Sequence, residues 1–273
     1  MGDMWRVSDT GLRAAAQNVA LDRALLEARR AEEIPSTLRF SRFAPSVLLA
    51  CHQSAAQEFD LNCCNADALA VQRRITGGAA MFCAGTELGW SLYLHRRDVG
   101  AGNGMQAVAR RICHAAAAAV AALGADARFR ARHDIEVDGR KIGSAGGVFD
   151  GCALLYQGVL HLELDVAAMV RAMRTPAAAP PEHAAAAARE RVTDIHTVLG
   201  KCAGAAELRR NLCAAFESEF AVELHDGDLS LTEHVRYQRA LAEITGPGWV
   251  NYLRQPGADV TVCAATQAHA GGM

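Results

Sequence analysis

Lysine is almost missing from this 273-residue chain: two of its 28 basic residues, Lys141 and Lys201, are lysines and the other 26 are arginines. A lysine retained against that bias draws attention to its position. No stretch approaches the roughly 18 consecutive apolar residues of a membrane span, and the longest soft run, Ala115 to Leu123, is mostly alanine. The start, Met1 to Arg6, has no charged segment leading into an apolar one, so no secretory signal is expected and the chain reads as cytoplasmic. Neither C-x-x-C nor H-E-x-x-H occurs, which argues against a structural zinc site. The nine cysteines sit mostly in apolar runs, where a thiol behaves as a small buried hydrophobe. A net charge of −2 leaves no basic stripe for nucleic acid. With 51% hydrophobic residues, disorder is excluded as well. Walker A, nucleophile-elbow and kinase signatures are all lacking; Gly100-Ala101-Gly102-Asn103-Gly104 is not G-x-G-x-x-G, and Ser144 has no G-x-S-x-G frame.

What is present is a mixture of strands and helices. Leu12 to Glu33 carries an i, i+4, i+7 apolar stripe through Leu21, Leu25 and Ala28, as a helix would. Leu38 to Phe40, Ser46 to Cys51, Val71 to Arg74, Ala79 to Phe82 and Ser91 to Leu94 read as strands, with residues 54–68 weakly helical. Met105 to Leu123 is a clear helix. His133 to Val137 alternates into Asp138-Gly139, a pair suited to the left-handed positions of a two-residue hairpin turn, and the return strand begins at Arg140. Cys152 to Tyr156 and Val159 to Leu164 continue the sheet. Beyond the proline–alanine stretch from Thr175, helices are expected at Val192 to Leu199, Ala205 to Phe220 and Leu231 to Glu243, the last capped by Ser230. The predicted fold is α+β, with one central mixed sheet flanked by helices and a short C-terminal helical segment. Its predicted divisions are 1–174 as the core, 175–185 as a linker, 186–247 as the helical C-terminal part, and 248–273 as a tail.

Two segments carry chemistry. In Arg73-Arg74-Ile75-Thr76-Gly77-Gly78, guanidiniums lead into a bend whose glycines let backbone N–H groups approach a phosphate or carboxylate. The same residues also describe an ordinary turn. In Asp134-Ile135-Glu136-Val137-Asp138-Gly139-Arg140-Lys141-Ile142-Gly143-Ser144, a tight hairpin holds Lys141 on a strand, followed by small residues against which a ligand can lie. Its ammonium can neutralise a phosphoryl group and polarise an acyl oxygen, and Asp134 can hold Mg2+. A solvated hairpin lysine is the plainer reading.

The ordered set of Pro45 to Gln53, Arg73 to Gly78, Asp134 to Ser144 and Gln157-Gly158 resembles the lipoate–protein ligase A-type branch of the biotin/lipoate protein ligase superfamily, over about residues 15 to 245. The resemblance implies a catalytic domain like that of class II aminoacyl-tRNA synthetases, and an ATP-dependent lipoate–protein ligase. Lipoate, or a related medium-chain acid, is activated as an acyl adenylate and transferred to a lysine of a carrier protein or domain. By motif match, Lys141 is the catalytic residue, spanning the α-phosphate and the carbonyl oxygen. Arg73, Gly77, Gly78, Ala79 and Ser144 bind the substrate or adenylate, with Arg73 on the activated phosphate. Asp134 places the metal; the implied cofactors are ATP, Mg2+ and lipoate.

This sequence departs from the family pattern in having Ala79 where a third glycine is usual and His133 where asparagine usually precedes the aspartate. The chain also stops shortly after Trp249, where long ligases continue into an accessory domain, so a separate accessory subunit is a candidate partner alongside the carrier. Neither nucleic acid nor membrane is expected as a partner. Two other functions stay open. An ATP-independent octanoyl or lipoyl transferase of the same superfamily needs a cysteine nucleophile. Cys152 lies near the right region but outside the known cysteine motifs, and Arg128-Phe129 occupies the segment where one branch has its cysteine. A non-catalytic paralogue that binds an acylated carrier is the other, because a shared fold does not guarantee shared chemistry.

Overall fold

The computed structural model describes residues 3–100, 102–130, 134–174, 181–246 and 248–251. In chain order the elements are β1 (Asp3–Arg13), α1 (Ala15–Arg30), β2 (Thr37–Phe43), β3 (Ser46–Leu49), α2 (Ala55–Glu58), α3 (Leu61–Ala66), β4 (Ala70–Arg73), β5 (Met81–Cys83) and β6 (Glu87–His95). They continue as α4 (Met105–Ala121), β7 (Ala127–Arg130), β8 (Asp134–Val137), β9 (Arg140–Asp150), β10 (Ala153–His161) and α5 (Val166–Ala172). The last are α6 (Pro181–Arg189), α7 (Ile195–Leu199), α8 (Ala205–Phe220), β11 (Val222–Asp226) and α9 (Leu231–Ile244).

The expected mixed sheet is there, with eight strands in the order β11-β1-β2-β6-β10-β9-β8-β7, beside a three-stranded sheet β4-β3-β5. In the larger sheet β11, β1 and β2 run parallel and the remaining pairs are antiparallel; in the smaller one β3 pairs parallel with β4 and antiparallel with β5. Helices cover both faces: α4 and α8 close the larger core around Trp90 and Phe216, while α1 and α9 close the other over Tyr93 and Leu155. Because it lies between the sheet and α9, α1 is buried nearly all round, including Asn18, Asp22 and Arg23. Arg39 on β2 donates to Asp22 at 2.9 Å and Tyr93 on β6 donates to the same oxygen at 2.5 Å, which fastens the helix to two strands. Burial pushes the Asp22 carboxyl above the usual aspartate range, against the pull of the Arg39 guanidinium.

Several boundaries differ from expectation. Leu12 is 54% exposed at the end of β1 rather than inside a helix, and α1 starts three residues later. The two runs around Gln157-Gly158 form one strand, β10. A Cβ on Gly158 would stand 2.5 Å from the Trp90 ring, so the glycine marks close packing and not a break. Pro181 opens α6 instead of closing a linker, as proline can where the first helical N–H has no partner anyway; residues 175–180 of the expected linker lie outside the described residues. The stretch 186–247 is not wholly helical, because β11 pairs with β1 at the sheet edge. The expected 192–199 helix covers only α7, opened by Asp194, whose carboxylate accepts from the Thr197 N–H at 2.8 Å. Helix α8 has the expected bounds, and the Ser230 cap of α9 forms as a reciprocal capping box with Glu233. No described helix is long and apolar enough to cross a membrane.

Candidate active site

The β8–β9 hairpin turns on Asp138 and Gly139, with φ of 50° and 74°, the left-handed pair the sequence anticipates. Just past it the pairing slips: Glu136 pairs with Lys141 but Ile135 pairs with Gly143, so Ile142 is an extra residue on β9. In an unbroken strand Lys141 and Ser144, three residues apart, would face opposite sides. The bulge turns Lys141 onto the face of Ser144 and sends Ile142 into the core. Ser144 is flanked on that face by Asp134 on β8 and Val159 on β10. The Lys141 ammonium lies 2.6 Å from the Asp134 carboxylate, the two side chains being 29% and 27% exposed. Residues following α6 complete the backbone bonding: Lys141 N–H donates to Arg191 O at 2.8 Å and Thr193 N–H donates to Lys141 O at 2.9 Å. Lys141 is thereby held by its neighbours on both edges.

That face opens on a cavity of about 250 Å3. Lys141, Ser144, His161, Arg174 and Arg191 supply its polar lining; Met81 and Phe82 of β5 and Met169, Met173 and Val192 supply much of the apolar part. Burial, and next the nearby Lys141 charge, lower the His161 pKa to about 4, so the imidazole is neutral at pH 7. Among the described residues no cysteine lines this cavity. Cys152 directs its thiol to Arg30 O, and burial pushes the Cys113 thiol up to about 11.

The glycine bend sits against β9. Gly77 N–H reaches Gly147 O at 3.5 Å, and a Cβ on Gly146 would stand 2.4 Å from Gly77 O, so backbone meets backbone there. Arg73, expected on a phosphate, donates instead to Ala50 O at 2.9 Å, Cys51 O at 3.2 Å and Val250 O at 2.9 and 2.6 Å. Trp249 returns a bond from its indole N–H to Arg73 O at 3.0 Å. Arg74 donates to Ala79 O at 2.7 Å, and burial lowers its guanidinium to about 10. Of the expected site residues, then, Lys141 and Ser144 line the cavity and Asp134 adjoins it through Lys141, while Arg73, Gly77, Gly78 and Ala79 are not part of its lining.

Asp134 is the carboxylate expected to place a metal, and a magnesium ion arriving with a nucleotide needs only one or two protein carboxylates. The Asp134 carboxylate is paired with Lys141, and among the described residues no three His, Cys, Asp or Glu side chains converge to hold an ion. His161, Arg174 and Arg191 were missed by sequence reasoning. His161 carries a signal in retrospect, since it continues the Val159 face by one strand period.

The sequence profile of the lipoyl protein ligase A/B catalytic domain matches residues 14–217. The chain belongs to that family. An octanoyltransferase LipM of Symbiobacterium thermophilum is 31% identical over 258 residues, spanning 86% of this chain and 93% of that protein. A LipM octanoyltransferase of Moorella thermoacetica is 26% identical, over 91% and 98%. Among solved structures, an archaeal bi-partite lipoate protein ligase from Thermoplasma acidophilum superposes with a TM-score of 0.79 at 21% identity, covering 94% of this chain and all of that one. A lipoate-protein ligase A bound with ATP gives 0.79 at 20% identity, covering 93% and 100%. The mixed sheet with its flanking helices is therefore the fold of the lipoate ligases, and the chain is a member of a lipoyl- and octanoyl-transferring enzyme family.

Proposed function

We propose that this protein joins octanoate or lipoate to a lysine of a lipoyl-carrier domain by way of an acyl adenylate made from ATP. A carboxylate is a poor electrophile. Its oxygen attacks the α-phosphate, pyrophosphate leaves, and the mixed anhydride so formed is open to attack by an amine, with AMP leaving. Lys141 fits both steps as a cation beside the shared phosphoryl and acyl oxygens. Arg174 and Arg191 add positive charge around an otherwise apolar lining suited to a medium-chain acyl group. The observation that carries the reading is the ammonium of Lys141, turned by the bulge into a cavity whose described lining holds no thiol. Mg2+ would have to arrive with the nucleotide.

A second reading, octanoyl transfer from a thioester donor without ATP, is favoured by the octanoyltransferase names of the relatives. The carrier, and a separate accessory subunit, belong to the proposal by analogy with the archaeal ligase, described as bi-partite and with its E2 lipoyl domain.

The deciding experiment mixes the protein with a lipoyl-carrier domain and reads acylation by intact mass. One arm holds octanoate or lipoate with ATP and Mg2+; the other holds an octanoyl thioester alone. Product only in the first arm supports the adenylate route. Product only in the second overturns it in favour of the transferase, and none in either leaves a non-catalytic binder.

A further inference from the structure

Strand β10 ends on a side chain that the two steps above do not use. His161 lies one strand period beyond Val159, which is opposite Ser144, and the β9 bulge brings Lys141 to the same face. Lys141, Ser144 and His161 all line the one cavity. Among the described residues the imidazole has no hydrogen-bond partner, and it is only partly exposed. The charges that bear on it are Lys141, which disfavours its protonation, and Asp194, which favours it, with burial the largest influence. Arg174 and Arg191 contribute further positive charge to the lining. The ring therefore offers one N–H donor and one bare nitrogen at neutral pH.

We propose that His161 is a second catalytic residue of the acyl-transfer step, donating its ring N–H to the acyl oxygen while Lys141 supplies the charge. This rests on the acyl-transfer reading. In that step the carrier amine nitrogen bonds to the acyl carbon and the carbonyl electron pair moves onto oxygen. The pair then returns as the bond to AMP breaks, AMP leaving with its electrons and the amine proton passing to solvent. Negative charge exists on the acyl oxygen only between those events, so donors fixed in advance at that point lower the barrier selectively. A ring of such low basicity is a poor proton acceptor from an amine, which argues against general-base action. It is well suited to donate, and being uncharged it adds no second cation beside Lys141.

Two variants test this. His161→Leu removes the donor and His161→Gln keeps one. Single-turnover transfer from octanoyl-AMP to a lipoyl-carrier domain is expected to slow about 10²–10³-fold in His161→Leu with KM for the carrier little changed, and His161→Gln is expected to recover most of the loss. Octanoate presents a charged oxygen of the same kind, and calorimetry is expected to show its affinity reduced about tenfold in His161→Leu but not in His161→Gln. Thermal melting checks that both variants fold. A His161→Leu protein with wild-type rate and wild-type octanoate affinity overturns the inference, as does equal loss in both folded variants. A wild-type protein that binds octanoate through His161 yet transfers nothing from octanoyl-AMP overturns the functional reading while supporting anion recognition by this histidine.

Discussion

The glycine bend and the β8–β9 hairpin approach each other along β9, but they handle positive charge in different ways. On the bend, Arg73 and Arg74 are each 2% exposed and their guanidiniums donate to backbone carbonyls. On the hairpin, Lys141 keeps more than a quarter of its side chain exposed and, among the described residues, pairs with the carboxylate of Asp134. A buried guanidinium tied to carbonyls cannot leave without orphaning them, so it acts as scaffold. A partly exposed ammonium in a pair worth roughly 0–1 kcal/mol can exchange that partner for a ligand at little cost. The arginines of the motif that looks most like an anion site in the sequence are thus bonded into the frame, while the rare lysine stays partly open to solvent.

Lys141→Met should separate the two most sharply. Transfer to the carrier is expected to fall about 10²–10³-fold, the loss typical of one charge-stabilising donor. Because the lost ion pair is partly exposed, the melting temperature should move by no more than about 2–4 °C. Arg73→Leu should do the reverse. It leaves carbonyls of Ala50, Cys51 and Val250 without their donor, which is expected to cost roughly 2–4 kcal/mol in urea unfolding, with the folded fraction still active. Full stability together with abolished transfer in Arg73→Leu would return that arginine to the phosphate and end the contrast.

The pH dependence of stability sharpens the hairpin side. An unfolded histidine titrates near 6.5, and His161 titrates at about 4 in the folded protein, so the unfolded chain binds the proton first on acidification. The His161 contribution is fully present above about pH 6.5 and is lost as pH falls toward 4, amounting to about 3 kcal/mol over the window. Urea unfolding of His161→Gln at a series of pH values should show that slope flattened. An unchanged slope would mean that the imidazole is not desolvated in the cavity.

How far the sequence revealed this arrangement depended on whether the signal was local. The Asp138-Gly139 turn, the Ser230 cap and helix α8 are written in neighbouring residues, and all formed as expected. Strand β1 was invisible because its partners, β2 and β11, are 31 and more than 200 residues away, and its own pattern is mixed. Lys141 and Ser144 are singled out by motif resemblance, and both line the cavity. That they share a face depends on one extra residue in the pairing of β8 with β9, which no periodicity reports. The sequence could not show which partners the arginine pair takes, because guanidinium chemistry is the same for a phosphate and for a carbonyl; in the fold Arg73 donates to the carbonyls of Ala50, Cys51 and Val250.

Ala79 gives the mildest test of the contrast. It stands where the family usually has a third glycine, which suggests a bend deprived of needed freedom. Yet Ala79 is not among the described non-glycine residues with positive φ, its methyl is exposed, and its carbonyl already accepts from Arg74. An alanine in an ordinary backbone conformation costs the folded state nothing and restricts the unfolded chain. Ala79→Gly is therefore expected to destabilise the protein by about 0.4–1 kcal/mol and to leave the transfer rate unchanged. Urea unfolding beside a carrier-acylation assay measures both quantities on one preparation. A severalfold faster transfer in Ala79→Gly would show that bend mobility limits the chemistry, and the bend would then have to be counted with the hairpin as part of the working site.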